Sequence, residues 1–379
     1  MKKTLLAAAL GSALAFGASA ALAAPSVTLY GAIDTYIAVN NDSGNVQSGM
    51  QSGGSMGSHW GMKGEEDLDI LGGTKAVFKL ESGFLSDDGT YAQSYAGNTN
   101  RLFHREAWVG LQNKNFGQIS FGRQYTPHFL TWAMTDVNGL SLGTAASPFF
   151  YPSAGATMGG DDPRTDDLVR NNNSIFWGSP RWAGLQLMAY ASLGEHQRAD
   201  GRQSSTQNNV YNIAANYANG PLFVMGSVLY QNLGYSAGNA FRPEKGHNVY
   251  YELAASYDFG VTKPAIQLEY KDGEDTLWSN DFFIAQIGTT TPMFGGRLNA
   301  TAAYYKNQTL DDADAYSFGL RFDYNLSKRT MVYAGVEALI QEDKSALAIE
   351  AGPDSGEHFH TSAAGNDQQQ IFFGIRHTF

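Results

Sequence analysis

Apolar and polar side chains alternate at every second residue along most of the chain, and this period of two constrains the fold more than any other feature. In AYSFGLRFDYN, for example, Tyr316, Phe318 and Leu320 alternate with Ser317 and Arg321. Successive side chains of a β-strand point to opposite faces of the sheet. Each such stretch therefore predicts a strand with one apolar face and one face of small, polar or charged residues.

Sixteen stretches fit this pattern, and their ends are defined to within a few residues. They cover approximately 26–39, 57–66, 72–83, 102–112, 117–124, 171–178, 184–193, 208–218, 221–231, 247–257, 263–271, 279–288, 295–306, 312–324, 328–340 and 369–379. Many are longer than the roughly 5–6 residues of ordinary strands and suit a tilted crossing of a bilayer. Short and long connections tend to alternate, as in outer-membrane barrels. A soluble β-sandwich would share the alternation, but these features favour an all-β, 16-stranded antiparallel transmembrane β-barrel.

The first residues, MKKTLLAAALGSALAFGASAALA, have the features of a secretory signal peptide: two lysines, an apolar run and small residues before a cleavage pattern. We expect a signal peptide at 1–23 and one barrel domain at 24–379. An uncleaved membrane anchor is the weaker alternative. The chain has no cysteine and a formal net charge of -11, which becomes -13 without Lys2 and Lys3. This charge argues against nucleic-acid binding.

The chain ends inside a predicted strand, QQQIFFGIRHTF, rather than in a polar tail. Ile371, Phe373, Ile375 and Phe379 share one side of this strand and are expected to face lipid. A closed barrel has no free edge, so its first and last strands must pair. The final strand is therefore expected to close the ring.

One connection, residues 125–170, is much longer than the others. A barrel of about sixteen strands leaves an aqueous channel through its centre. Trp132, Phe149, Phe150 and Tyr151 would be poorly placed on a loop in solvent. We expect this third loop to fold into the pore and narrow it, although a loop that covers the barrel mouth from outside is the alternative.

Several stretches resemble the general porins of Gram-negative bacteria, of the neisserial and β-proteobacterial type. They are SVTLYGAIDTYI, SHWGMKGEEDL, GGTKAVFKLESGF, HREAWVGLQNKNFGQISFGRQYTP, RNNNSIFWGSPRWAGL and FGIRHTF. The resemblance implies an outer-membrane homotrimer, embedded among lipid and lipopolysaccharide, through which ions and small hydrophilic solutes diffuse passively. It also implies that the terminal Phe379 is part of the signal read by the outer-membrane assembly machinery.

The resemblance further implies basic wall residues opposite the inward loop. Matched by motif, these are Arg105 in HREAWVGL and Arg123 in FGRQYTP, with Lys63 in WGMKG as a weaker candidate. His59 stands where the family usually has arginine and is only partly protonated near neutral pH. Asp136 is the one carboxylate between Tyr125 and Gly160 and is the candidate for the acidic side of the constriction.

Strand register adds weaker candidates for the pore lining. Lys75, Lys79 and Glu81 alternate with apolar residues in TKAVFKLE, and Arg321 lies on a polar strand face. Arg105 and Arg123 share parity with apolar neighbours, so Arg123 requires a bulge near Gly122 or an apolar patch in the lumen. Basic wall residues and acidic loops oppose each other, which leaves the sign of ion selectivity open.

Other functions receive less support. A barrel that serves mainly as an adhesin or receptor through its long loops is the main alternative to a channel. No motif marks a catalytic Ser–His–acid set or a phosphate-binding loop, so the chain is not expected to be an enzyme. The eight histidines show no metal-ligand spacing beyond His358 and His360 in a loop, and no cofactor or metal is predicted.

Overall fold

The computed structural model describes residues 26–68, 72–91, 101–153, 168–194, 196–197, 203–204, 209–233, 246–273, 281–349 and 363–379. The proposed signal peptide and the histidines 358 and 360 lie outside these residues.

The described residues form nineteen strands and two short helices. In chain order they are β1 Ser26–Asp42, β2 Asn45–Ser52, β3 His59–Leu68, β4 Thr74–Gly83, β5 Glu106–Asn113, β6 Gly117–Tyr125, α1 Pro127–Ala133, α2 Ser147–Ser153, β7 Arg170–Gly178, β8 Leu185–Ser192, β9 His196–Gln197, β10 Gln203–Ser204, β11 Val210–Asn219, β12 Leu222–Leu233, β13 Gly246–Tyr257, β14 Lys263–Gly273, β15 Phe282–Met293, β16 Gly296–Asn307, β17 Ala315–Asn325, β18 Thr330–Gln341 and β19 Gln368–Thr378. Among the described residues, no helix is long and apolar enough to cross a membrane.

All strands except the short pair β9 and β10 belong to one closed antiparallel barrel. Consecutive strand positions pair with each other, and β19 returns to pair with β1 from Ala32↔Thr378 to Asp42↔Gln368. The barrel has sixteen strand positions because β2 and β3 occupy one position in succession: β1 pairs with β2 over 35–42 and with β3 over 26–32. The predicted all-β, 16-stranded antiparallel barrel is confirmed.

The second strand position differs from the sequence prediction, in which residues 40–56 connect the predicted strands 26–39 and 57–66. Here β1 continues to Asp42, turns at Ser43 and Gly44 with positive φ angles of 45° and 97°, and returns as β2. The stretch NVQSGMQS has few apolar residues, so its alternation was too weak to indicate a strand. Residues 53–58 then interrupt the strand before β3.

The outer surface of the barrel is apolar, as the alternation requires. In the closing strand, Ile371 and Phe373 are 64% and 56% exposed, whereas Phe372 between them is 2% exposed. The inner face carries mostly polar side chains, including the Asn299–Arg321 and Glu252–Glu269 cross-strand pairs. The exposed apolar band is the surface expected to contact lipid or a neighbouring subunit.

Candidate functional site

The connection between β6 and β7 returns to the inner wall on the far side of the barrel. The amides of Gly143, Ala145 and Ala146 donate to Glu337 Oε1 at 2.6 Å, Thr301 Oγ1 at 2.9 Å and Gln286 Oε1 at 2.7 Å. These acceptors belong to β18, β16 and β15. Residues 126–153 of this loop, which we call the inward loop, therefore lie against the lumen side of the wall.

The apolar residues of the inward loop are buried against aromatic side chains of the wall. Trp132, Phe149, Phe150 and Tyr151 are at most 2% exposed. They belong to one cluster with wall residues from several strands: Tyr190, Tyr250, Phe282, Ile284 and Tyr305. Burial of each such side chain contributes roughly 1.5–3 kcal/mol, which favours the inward conformation.

Asp136 organises the tip of the inward loop. Its Oδ2 accepts bonds from the amides of Asn138 and Leu140, both at 2.9 Å, and from Thr144 Oγ1 at 2.8 Å. Its Oδ1 accepts from Gln286 Nε2 at 2.7 Å. This carboxylate is 8% exposed, so its main contacts are with the loop and with Gln286 of the wall rather than with the channel.

Arg321 also binds the loop tip rather than facing the open channel. Its guanidinium donates to Ser141 Oγ at 2.8 Å and to the Leu142 carbonyl at 2.7 Å, and pairs with Asp323 Oδ1 at 2.8 Å. The wall permits this close approach at Gly319, where an added Cβ would lie 2.3 Å from the Gly143 carbonyl oxygen.

A group of charged side chains occupies the wall formed by β3 to β7. Arg105 Nε donates to Glu81 Oε1 at 2.6 Å, and Lys79 Nζ lies 3.1 Å from the other oxygen of Glu81. Lys79 also pairs with Glu106. These contacts bring together Arg105, Lys79 and Glu81, three of the residues predicted from the sequence.

Tyr125, the last residue of β6, links two arginines at the root of the inward loop. Its hydroxyl accepts from Arg105 at 3.1 Å and from Arg170 at 2.8 Å. The Arg170 guanidinium also lies 4.6 Å from the centre of the Tyr125 ring, a cation–π distance. Arg123 joins the same group through the Arg170 carbonyl at 3.5 Å.

The backbone conformation explains how the side chains of Arg105 and Arg123 join this group, although both residues alternate in phase with apolar residues. Arg105 directly precedes β5, and its amide bonds to the Glu81 carbonyl at 3.2 Å. Arg123 lies at a register shift between Gly122 and Gln124, where Gly122 has a φ of 132°. Arg123 is 6% exposed and donates to the His104 carbonyl and to Asn172 Oδ1 at 3.1 Å. A shift near Gly122 was one of the two arrangements that the sequence required.

Lys63 and His59 lie beside this group on the lumen face of β3. Lys63 is exposed and its Nζ lies 5.3 Å from the centre of the Tyr30 ring, whose hydroxyl donates to Glu81 at 2.7 Å. His59 Nδ1 is 2.8 Å from the Gly57 carbonyl oxygen. Lys75, in contrast, lies at the start of β4 and pairs with Glu65 of β3 at 2.7 Å.

We call Lys63, Lys79, Arg105, Arg123 and Arg170, together with Glu81 and Glu106, the basic cluster. Five cations against two carboxylates leave a formal excess of three positive charges among these described residues. Arg170 and Glu106 were not among the residues predicted from the sequence. Antiparallel pairing of Tyr125 with Arg170 across the base of the long loop was the signal that could have indicated the former.

Comparison with known proteins agrees with this architecture. The family model described as Gram-negative porin matches residues 7–344. An outer membrane porin protein of Bordetella pertussis is 34% identical, over 88% of this chain and 93% of its own length. Outer membrane porin protein 32 of Delftia acidovorans is 31% identical over 100% of both chains.

A solved structure gives the same result at the level of the fold. The anion-selective porin from Comamonas acidovorans superposes with a TM-score of 0.78 at 25% identity, and the match covers 94% of this chain and all of that chain. Because the family match spans most of the sequence and the barrel is closed with sixteen strand positions, this chain belongs to the Gram-negative porin family.

Proposed function

We propose that this outer-membrane porin passes ions and small hydrophilic solutes by passive diffusion through a constriction that favours anions. The channel function follows from the family and from the closed barrel. The preference for anions is a further proposal, beyond the channel function itself. The observation that carries this preference is the asymmetry between the basic cluster and the inward loop.

The two sides of the constriction differ in how well their charges are neutralised within the protein. On the loop side, Asp136 and Glu337 are 8% and 4% exposed and accept hydrogen bonds from the loop itself. On the opposite wall, Lys63 is exposed and the Lys79 side chain is 25% exposed. A narrow neck bounded by protein concentrates the field of such charges, so the net field supports anion entry.

The similarity to a porin described as anion-selective supports the same sign of selectivity. The main alternative, an adhesin or receptor, is not favoured by the relatives, which are outer membrane porins. The family and the fold also indicate a channel rather than an enzyme, and we propose that the chain has no catalytic activity.

Planar-bilayer recording of the purified protein tests this proposal. We expect stepwise ohmic conductance and, in a tenfold KCl gradient, a zero-current potential of the sign that chloride preference gives. A perfectly selective channel for a monovalent ion would reach about 59 mV. A potential of the opposite sign would refute the anion preference, and the absence of conductance steps would refute the channel.

We further propose that the barrel assembles as a homotrimer within outer-membrane lipid and lipopolysaccharide, and that the assembly machinery reads its last residue. The family resemblance and the exposed apolar outer surface support this proposal. Phe379 itself lies at the barrel seam: its amide donates to the Gly31 carbonyl at 3.0 Å, and its carbonyl accepts from the Gly31 amide at 3.1 Å.

Deletion of Phe379 is expected to reduce the yield of assembled trimer while leaving the conductance of assembled channels unchanged. The deletion removes two seam hydrogen bonds, a loss of about 2 kcal/mol, at a position far in sequence from the inward loop. Semi-native electrophoresis measures the yield. Phe373→Ala, which removes an exposed aromatic from the same strand but keeps the seam bonds, is the matched control. Equal yields for the deletion and the control would contradict the prediction.

A further inference from the structure

Three titratable side chains meet in the barrel interior away from the basic cluster. Glu252 on β13 and Glu269 on β14 are direct cross-strand partners. His128, on helix α1 of the inward loop, places Nε2 3.5 Å from one carboxylate oxygen of each glutamate. All three side chains are fully buried.

The polar atoms of this group make no hydrogen bond of normal geometry, although the hydroxyl groups of Ser227 and Thr131 lie near Glu252 and favour its charged form. Both ring nitrogens of His128 and all four carboxylate oxygens of Glu252 and Glu269 are buried without a well-formed hydrogen bond. Two carboxylates directly opposite each other repel, and burial of unpaired charge is costly. Lys271 contributes an attractive charge to Glu269 but leaves these oxygens without a bond. Such a group requires either a bound cation or shared protons.

We propose that His128, Glu252 and Glu269 bind one divalent transition-metal ion, for which Zn²⁺ is the best fit. Their ligand atoms all lie within 4.8 Å of one another. With bonds of about 2.0–2.2 Å, two ligands of a tetrahedral zinc lie roughly 3.3–3.6 Å apart, and the two His128–carboxylate distances of 3.5 Å fall in this range. The imidazole nitrogen and the number of ligands argue against calcium and magnesium, which prefer six or more oxygen ligands.

The surroundings hold the histidine in place for this role. Its ring stacks on Phe150 with centroids 5.4 Å apart and meets the edge of Tyr250 at 5.3 Å. Its backbone amide donates to Asn212 Oδ1 at 2.7 Å. Because His128 belongs to the inward loop and both glutamates belong to the wall, the ion would fix the start of that loop to the barrel.

Metal content of the native, untagged trimer tests the site. The protein is stripped with dipicolinate, equilibrated with Zn²⁺ in excess Mg²⁺, freed of unbound ion and analysed by mass spectrometry. We expect one zinc per protomer for the unchanged protein and at least a tenfold weaker retention for His128→Gln and Glu269→Gln. His247→Gln, which removes a histidine of β13 outside the site, should retain the ion. Equal retention by all four proteins would overturn the proposal.

Thermal dissociation of the trimer gives a second readout that does not depend on the folding of one variant. An ion that binds only the folded state raises its stability by mass action. Zinc should therefore raise the dissociation temperature of the stripped protein and of His247→Gln, but not that of Glu269→Gln. If zinc has no effect on the unchanged protein while Glu252→Gln and Glu269→Gln both raise its dissociation temperature, the carboxyl pair shares a proton and the metal site is refuted.

Discussion

Replacement of residues 137–143 by two glycines is expected to raise the single-channel conductance several-fold and to admit larger solutes. These residues form the tip of the inward loop, which the wall holds through Glu337 and Arg321. The two ends of the excised segment are adjacent, because Thr144 Oγ1 lies 2.8 Å from Asp136 Oδ2. A short linker can therefore join α1 to α2 without disturbing either helix.

The barrel should tolerate this deletion because the uncovered wall is largely polar. Glu337, Arg321 and Thr301 can exchange their bonds to the loop for bonds to water. The main losses are the burial of Leu140, which belongs to the cluster around Trp132 and Phe150, and that of Leu142, which packs with Tyr333 and its neighbours, at a cost of about 2 kcal/mol each. The Tyr151 hydroxyl also loses its bond to the Leu140 carbonyl and can exchange it for one to water. The wall itself is held by continuous antiparallel hydrogen bonding from β11 to β19.

Planar-bilayer conductance and liposome swelling with sugars of increasing size measure the two effects. A matched control shortens the exposed turn 258–262 between β13 and β14 to Asn-Gly and should leave both quantities unchanged. Unaltered conductance and size limit in the loop variant would mean that the tip does not form the narrowest part of the channel.

The double variant Arg105→Gln/Arg123→Gln is expected to shift the zero-current potential toward cation preference by on the order of 10 mV in a tenfold KCl gradient, against about 59 mV for perfect selectivity. It lowers the formal excess charge of the basic cluster from three to one. Glu81 keeps Lys79 at 3.1 Å and the Tyr30 hydroxyl at 2.7 Å. The Glu81 carboxylate is therefore still paired after Arg105 is replaced, and the barrel should fold.

The control for this prediction changes the same number of charges at exposed turns. Arg181→Gln/Lys328→Gln removes two cations outside the basic cluster and should leave the potential close to that of the unchanged protein. Glu81→Gln should move the potential in the opposite direction, toward anions. An identical shift for the cluster variant and the turn variant would show that overall charge, rather than the cluster, sets the selectivity.

The sequence predicted those parts of the structure that are determined by residues close together in the chain. The closing strand was predicted with its correct faces because Ile371 and Phe373 point outward by simple alternation. The inward burial of Trp132 and Phe150 was expected from their apolar character alone. The strand β2 was missed because Asn45–Ser52 has little apolar contrast between its faces.

The candidate site was only partly predictable, because its contacts join residues that are far apart in the chain. Motif and register brought forward Arg105, Lys79 and Glu81, which the structure joins. The sequence predicts Asp136 at the constriction and Arg321 in the pore lining, but it does not indicate that the contacts of both residues hold the loop tip. A sequence shows that a charge exists, but its partners follow from the path of the loop.

The sequence by itself determined the barrel, because a strand's two faces are set by neighbouring residues and sixteen such strands can satisfy their backbone in a membrane only by closing. Only the tertiary structure decided which charges meet. Glu252 and Glu269 lie 17 residues from each other and more than 120 from His128 in the chain, yet their polar atoms converge within 4.8 Å. Convergence of this kind depends on barrel register and on where the inward loop lands, and no local pattern encodes either.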